Sequence, residues 1–348
     1  MRLSRLLLFV AISSVLPAAA FAARKVAENT RAYKGAIVMD AASGQVLFED
    51  HADEVGPPAS VTKLMTFLIV QDHIAAGTIT LKTPVTVTRE DSKIGGTQVW
   101  LKEGEVFPVE ELLYALMIQS ANDAANALSH AVAGSREAFV GEMNAKAHEL
   151  GMTHTTFHSP HGLPPARGQS PDLTSPRDLA ILARHLLLHT DILRYTSVRT
   201  RSFGTGVRLQ PVEMRNHNHL LGRIDGCDGL KTGFTNGAGF CLAATAQRGN
   251  HRIIVVVMGS AEAKVRDLKV AELIEKGFAM VPANSAFAGY TPPAAENMPP
   301  ASAAAAPASD APSPVTAAPL SPGKQAEAPG TDGTMTVKFT DPVSPKKG

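Results

Sequence analysis

Strand-forming text stands at both ends of the folded part of this chain, and helix-forming text fills the middle. "GAIVMDAASGQVLFED" at 35–50 is two β-prone runs joined by "AASG", a hairpin signal. After Tyr195 the pattern turns β again, with "TRSFG", "GLKTGFT", "GFCLAATAQ" and "HRIIVVVMG" separated by turn residues. Short turns between successive strands imply antiparallel pairing. A lone hairpin is marginal in water, so the N-terminal pair must join the C-terminal strands. The fold class is therefore α+β: an antiparallel sheet flanked by helices, plus a mainly helical subdomain at about 90–195, with a cleft between the two parts as the natural site.

The helices have readable starts. Pro57 and Pro58 stop what precedes them, and "ASVTKLMTFLIV" predicts a helix opening near Ala59 or Ser60 and running to about Ala76. Pro108 opens another that ends near Gln119, where "SAND" interrupts before helix resumes. "SREAFVGEMNAKAHELGM" and "TSPRDLAILARHLLLH" follow, the latter with Thr174 or Ser175 as cap and Pro176 in the first turn. "AKVRDLKVAELIEKGFA" closes the body.

Both termini differ from this body. Arg2 and Arg5, the apolar stretch Leu6–Leu16 and "AFA" at 20–22 read as a signal peptide at 1–22. Its apolar stretch is too short for a stable membrane anchor, which needs roughly 20 residues. The mature chain is expected to carry no transmembrane anchor and to work outside the cytoplasm, in the periplasm or at the cell wall. From Pro282 to Gly348 the chain holds 13 of its 24 prolines in an Ala/Ser/Thr background. That composition predicts a disordered tail at 282–348, a spacer or a docking segment for an unknown partner. Lys plus Arg against Asp plus Glu is 33 to 32, so no basic field recruits nucleic acid. Cys227 and Cys241 flank the expected hairpin, and the sequence leaves open whether they are bridged.

Three polar clusters fall where this architecture meets the cleft. Ser60 and Lys63 lie three apart, so a helix turns both groups the same way. "SAN", Ser120 to Asn122, is a kink in the helical half. "KTG", Lys231 to Gly233, lies on a strand, and Gly233 leaves room for something to lie against its backbone. The ordered set S-x-x-K, S-x-N, K-T-G resembles the serine penicillin-binding enzymes and class A β-lactamases. "PPASVTKLMT", "LMIQSANDAANALS", "FHSPHGLP" and "DGLKTGFTNGAGFCLAATA" are similar to the D-alanyl-D-alanine carboxypeptidases, the low-molecular-mass penicillin-binding proteins. The resemblance covers roughly 33–279, within a catalytic domain expected at 23–281.

It implies a β-lactamase/transpeptidase-like fold and a serine peptidase that removes the terminal D-alanine from peptidoglycan stem peptides, with β-lactams as covalent inhibitors. Ser60 would be the nucleophile, which needs a base to take its proton. Lys63 serves only if neutral, and desolvation together with a second ammonium, Lys231, would push its pKa down from about 10.4. Ser120 would relay a proton toward the leaving amine, and Asn122 would hold Lys63 and a substrate amide. Lys231 and Thr232 would receive the terminal carboxylate, with the N–H groups of Ser60 and Phe234 as oxyanion hole. Two positions depart from the family text. Phe234 stands where many members have His, and His217 in "NHNHLL" stands where some have an arginine that helps bind the carboxylate. His217 would be cationic only part of the time near neutral pH.

No cofactor is expected, and no metal. "HTTFHSPHG" has two His four apart, but no Asp, Glu or Cys completes a set. Trp100 is read as core or cleft rim, the rim on resemblance, and "SKIGG" before it as a mobile loop. Three other functions remain in view: an endopeptidase on cross-links, a β-lactamase, and a non-catalytic wall-binding scaffold. Class A β-lactamases deacylate with a glutamate between the second and third motifs, yet from Gly151 to Gly206 this chain has none.

Overall fold

The computed structural model describes residues 32–290. The expected leader at 1–22 and most of the expected tail lie outside the described residues. The expected sheet is present: β1 (Gly35–Asp40), β2 (Val46–Asp50), β7 (Cys227–Thr235), β8 (Gly239–Arg248) and β9 (His251–Ser260) pair in the order β2-β1-β9-β8-β7, all antiparallel. β9 is central and apolar on both faces, as a covered strand requires. Ile254, Val256 and Met258 face one core, while Ile253, Val255 and Val257 face a second. β8 keeps the same alternation, with Ala243 toward the first core and Leu242 and Ala244 toward the second.

The two faces take different helices. Using α1 (Lys63–Ala75), α2 (Arg89–Lys93), α3 (Val109–Tyr114), α4 (Asn122–Ala133), α5 (Arg136–Glu149), α6 (Pro176–His189), α7 (Leu193–Thr196) and α8 (Ala263–Met280), the second core lies between the sheet and α8. α6 covers the other face against β1 and β9, so it is part of the sheet layer and not of the helical half, although it falls within 90–195. Its apolar stripe, Leu179, Leu182, Ala183 and Leu186, is fully buried there. Ser175 is its cap, accepting from the Asp178 N–H at 3.2 Å. α1 leaves the sheet edge and packs between α6 and the helices α4 and α5. All eight residues from Lys63 to Val70 are buried, the mark of a helix enclosed on every side.

Three expectations need correction. The Ser60 helix does not open at Ala59 or Ser60: residues Ala59–Thr62 form a 3₁₀ turn, and α-helix begins only at Lys63. "TRSFG" does not join the main sheet. β5 (Thr200–Phe203) pairs with β6 (Val212–Arg215) as a separate ribbon, matched in the helical half by an unforeseen ribbon of β3 (Pro84–Thr86) and β4 (Val106–Pro108). Residues 282–290, assigned to the tail by composition, lie on the body. Ser285 donates to Asp40 at 2.7 Å, Phe287 N–H to the Asn250 carbonyl at 2.8 Å, and the Phe287 ring sits 5.4 Å below the Arg252 guanidinium. Of the tail's prolines only Pro282 falls in that segment.

If β9 carries both cores, Ile254→Ala is expected to cost about 2–5 kcal/mol of unfolding free energy. Leu268→Ala, on the exposed side of α8, should stay within about 0.5 kcal/mol. Urea unfolding of the two variants checks this.

Candidate active site

The Ser60 turn is wedged between two glycines. Gly162 packs against it so closely that a Cβ there would sit 1.9 Å from the Ala59 carbonyl oxygen. On the other side Gly233 of β7 leaves no room either, because a Cβ would lie 2.6 Å from the Pro58 carbonyl and 3.1 Å from Ser60 N. Ala59 is held in the left-handed region at φ 50°, an uncommon state for a residue with a Cβ. This backbone sets Ser60 N–H, at the open start of a helical turn, directly beside the edge strand.

Lys63 fills the floor. It is fully buried, and its Nζ lies 2.9 Å from Ser60 Oγ, 2.7 Å from Asn122 Oδ1 and 2.8 Å from the His161 carbonyl. Two of those partners only accept, so they take two N–H bonds. A neutral amine then turns its lone pair toward the serine hydroxyl. Burial, and next the charge of Lys231, hold Lys63 far below the usual lysine range, against a smaller opposing pull from Asp172 and Asp123. The orientation of Asn122 is set behind it: Nδ2 donates to the Gly95 carbonyl at 2.8 Å, leaving Oδ1 for the amine. Ser120, just before, is buried and left-handed at φ 63°, where a wide π-type turn (Ala115–Gln119) gives way to α4.

From the sheet side come Lys231 and Thr232, both buried, and Phe234, half exposed. Lys231 Nζ donates to the Thr232 carbonyl at 2.9 Å, and burial, then the Arg266 charge, bring its pKa down to about 7. β7 is an outer strand of the sheet, so one of its sides is not taken by another strand. The Ser60 hydroxyl, the Lys63 amine and the Asn122 amide thus meet, with the Lys231 amine near enough to lower Lys63, so three stretches of the chain contribute.

The chain has counterparts among known proteins. Residues 22–262 match the model of the D-alanyl-D-alanine carboxypeptidase family. The chain belongs to that family. It is 39% identical over 74% of its length to the D-alanyl-D-alanine carboxypeptidase DacC of Escherichia coli, covering 64% of that protein. Against DacF of Bacillus subtilis it is 33% identical over 79% of its length and 70% of the relative's. Among solved structures, penicillin-binding protein D2 of Listeria monocytogenes in its ampicillin-bound form superposes with a TM-score of 0.64 at 33% identity, covering 71% of this chain and 97% of that one. The fold is that of these carboxypeptidases, and the protein is a peptidase.

Within the carboxypeptidase site, several contributors escaped the sequence reading. The segment 158–163, which overlaps the histidine-rich stretch weighed there for metal, is a strap beneath the Ser60 turn. Its Pro160 carbonyl accepts from Thr66 at 2.6 Å and its His161 carbonyl meets Lys63. The His161 ring is driven down to about 3 by burial and by Lys63, and its Nδ1 accepts from Leu163 N–H. Among the described residues no three His, Cys, Asp or Glu side chains gather as a metal set. Asp172 knots the strap in place, accepting from Thr62, from the N–H groups of His158 and Ser159, and from the Ser159 hydroxyl. Asp123 does the same for the opposite rim, holding the N–H groups of Val99 and Leu101. "SKIGG" is tied to the site through Gly95 rather than left loose. Trp100 lies at the surface, 60% exposed. His217 departs further from a carboxylate-binding cation than expected: burial, then Lys231, push it to about 4, so it is neutral at pH 7. Cys227 and Cys241 are free thiols. Cys227 stands opposite Ala246, and Cys241 opposite Gly233 at the other end of the β7–β8 pair.

Lys231 is a buried amine whose folded pKa lies below its unfolded value, so it weakens folding most at and below pH 7, and the penalty fades as pH rises toward about 10.4. Lys231→Met should therefore gain stability relative to the parent near pH 7, and that gain should shrink steadily from pH 7 to pH 10. Denaturant unfolding of both proteins across that range is the measurement.

Proposed function

We propose that this chain removes the terminal D-alanine from peptidoglycan stem peptides through an acyl ester on Ser60. The observation that carries the reading is the Lys63 cage, a buried amine with two carbonyl acceptors and its remaining direction aimed at the Ser60 hydroxyl. Lys63 takes the Ser60 proton as Oγ attacks the carbonyl of the penultimate D-alanine. Ser60 N–H and Phe234 N–H stabilise the oxyanion, and Ser120 passes the proton to the departing amine. Water then hydrolyses the ester. Thr232 and the charged form of Lys231 hold the terminal carboxylate, Gly233 admits the substrate against the strand, and Asn122 bonds a substrate amide. His217, neutral, contributes a hydrogen bond there and no charge.

β-Lactams acylate the same serine in this reading, as the ampicillin-bound Listeria neighbour supports. The lack of any glutamate from Gly151 to Gly206 argues for long-lived adducts over turnover. The leader at 1–22 and a cell-wall substrate support secretion to the periplasm. Among the described residues no helix is long and apolar enough to cross a membrane.

Fluorescent penicillin should label the parent protein and fail to label Ser60→Ala. Lys63→Ala should acylate about 10²–10⁴-fold more slowly, the usual worth of a general base. Acylation should climb with pH as Lys63 loses its proton and carboxylate binding should weaken above about pH 7 as Lys231 loses its charge. An unlabelled parent protein would favour the scaffold. Release of D-alanine from stem peptides, set against cleavage of cross-linked dimers, separates carboxypeptidase from endopeptidase.

A further inference from the structure

Phe234 is an odd residue for an edge strand beside a polar site. It is 50% exposed, and it follows directly on the glycine that touches the Ser60 turn. Its ring stacks on Phe240, its partner on β8, with centroids 4.1 Å apart and planes 24° from parallel. Phe240 is backed in turn by the Arg266 guanidinium, 6.0 Å from its centroid. The ring is therefore held in place, with one side supported and the other open to solvent.

Strand alternation decides what it faces. Gly233 turns toward the Ser60 turn, so Thr232 and Phe234 project together on the opposite side, about 6–7 Å apart along the strand. A ligand whose carboxylate rests on Thr232 brings the rest of its last residue alongside the Phe234 ring.

We propose that Phe234, supported by Phe240, forms a subsite for the side chain of the substrate's C-terminal D-residue, and that this chain releases apolar D-residues larger than alanine as well as D-alanine. The inference rests on the reading above, in which Ser60 is acylated and Thr232 holds the carboxylate. The bond broken is the amide between the penultimate D-alanine and the last residue. Ser60 gains the acyl group, the leaving amine gains the proton, and water completes hydrolysis, whatever side chain the leaving residue carries.

The test compares diacetyl-L-Lys-D-Ala-D-Ala with diacetyl-L-Lys-D-Ala-D-Leu in the parent, F234A, F234Y and F240A, reading the ratio of the two kcat/KM values within each protein. The parent should cleave both peptides. F234A should lower the D-Leu to D-Ala ratio about tenfold, as loss of an apolar contact does, and F240A about threefold, while F234Y keeps it. A ratio unchanged across all four proteins overturns the subsite, as does a parent that cleaves only the D-Ala peptide. A parent that forms no penicillin adduct on Ser60 overturns the carboxypeptidase reading itself, and the subsite with it. Because F240A leaves Phe234 and the three motifs untouched, a misfolded F234A does not rescue the idea.

Discussion

An amine sealed away from water is the constraint around which this molecule is arranged. Burying an ammonium without a partner is expensive, and the group escapes most of that cost by shedding its proton. Among the described residues no carboxylate is in contact with Lys63 to keep it charged. Its neighbours are a hydroxyl, an amide oxygen and a main-chain carbonyl, with a second lysine near enough to oppose its charge. Such a cage works only if every acceptor stays where it is. Much of the surrounding polar structure serves that end: Asp172 fixes the strap that supplies one carbonyl, and Gly95 fixes the amide that supplies another oxygen.

The fold delivers these parts from distant stretches. α1 rises from the sheet edge into the helical half, so the 3₁₀ turn that precedes it touches β7 while the helix itself is gripped by α4, α5 and α6. The strap, the kink at Ser120 and the edge strand then meet around that turn. Two glycines permit the approach, and left-handed residues at Ala59 and Ser120 complete it. Backbone held in such states is stored where surrounding packing over-determines it, as beside a reacting centre.

Much of this was legible in the sequence, for particular reasons. Ser60 and Lys63 stood out as a hydroxyl and an amine heading an apolar run, Asn122 and Lys231 through the ordered motifs that resemble a known family, and the sheet because alternating runs and tight turns announce themselves. The His161 and Gly95 carbonyls were invisible, since every residue carries one and only the folded path shows which is used. Asp172 carries no signal in the sequence, because its partners at Thr62, His158 and Ser159 meet it only in the fold. The start of α1 was misplaced because a 3₁₀ turn and an α-turn share the same residue preferences and differ in how tightly neighbours press on them. The inner helix α6 was grouped with the helical half because chain order says nothing of which face of the sheet a helix returns to.

The outer strand β7 carries one last implication. Open sheet margins invite pairing with other chains, and proteins usually blunt them with charge, proline or brevity. Here the nine-residue margin is shielded by its own architecture: α7 packs along it near Cys227–Gly229, with Thr196 reaching the Asp228 carbonyl, and the serine turn shelters it at Gly233. What stays accessible is too short for a neighbouring sheet and long enough for the end of a peptide. Keeping that ledge small keeps the molecule's most receptive surface from seeding aggregates.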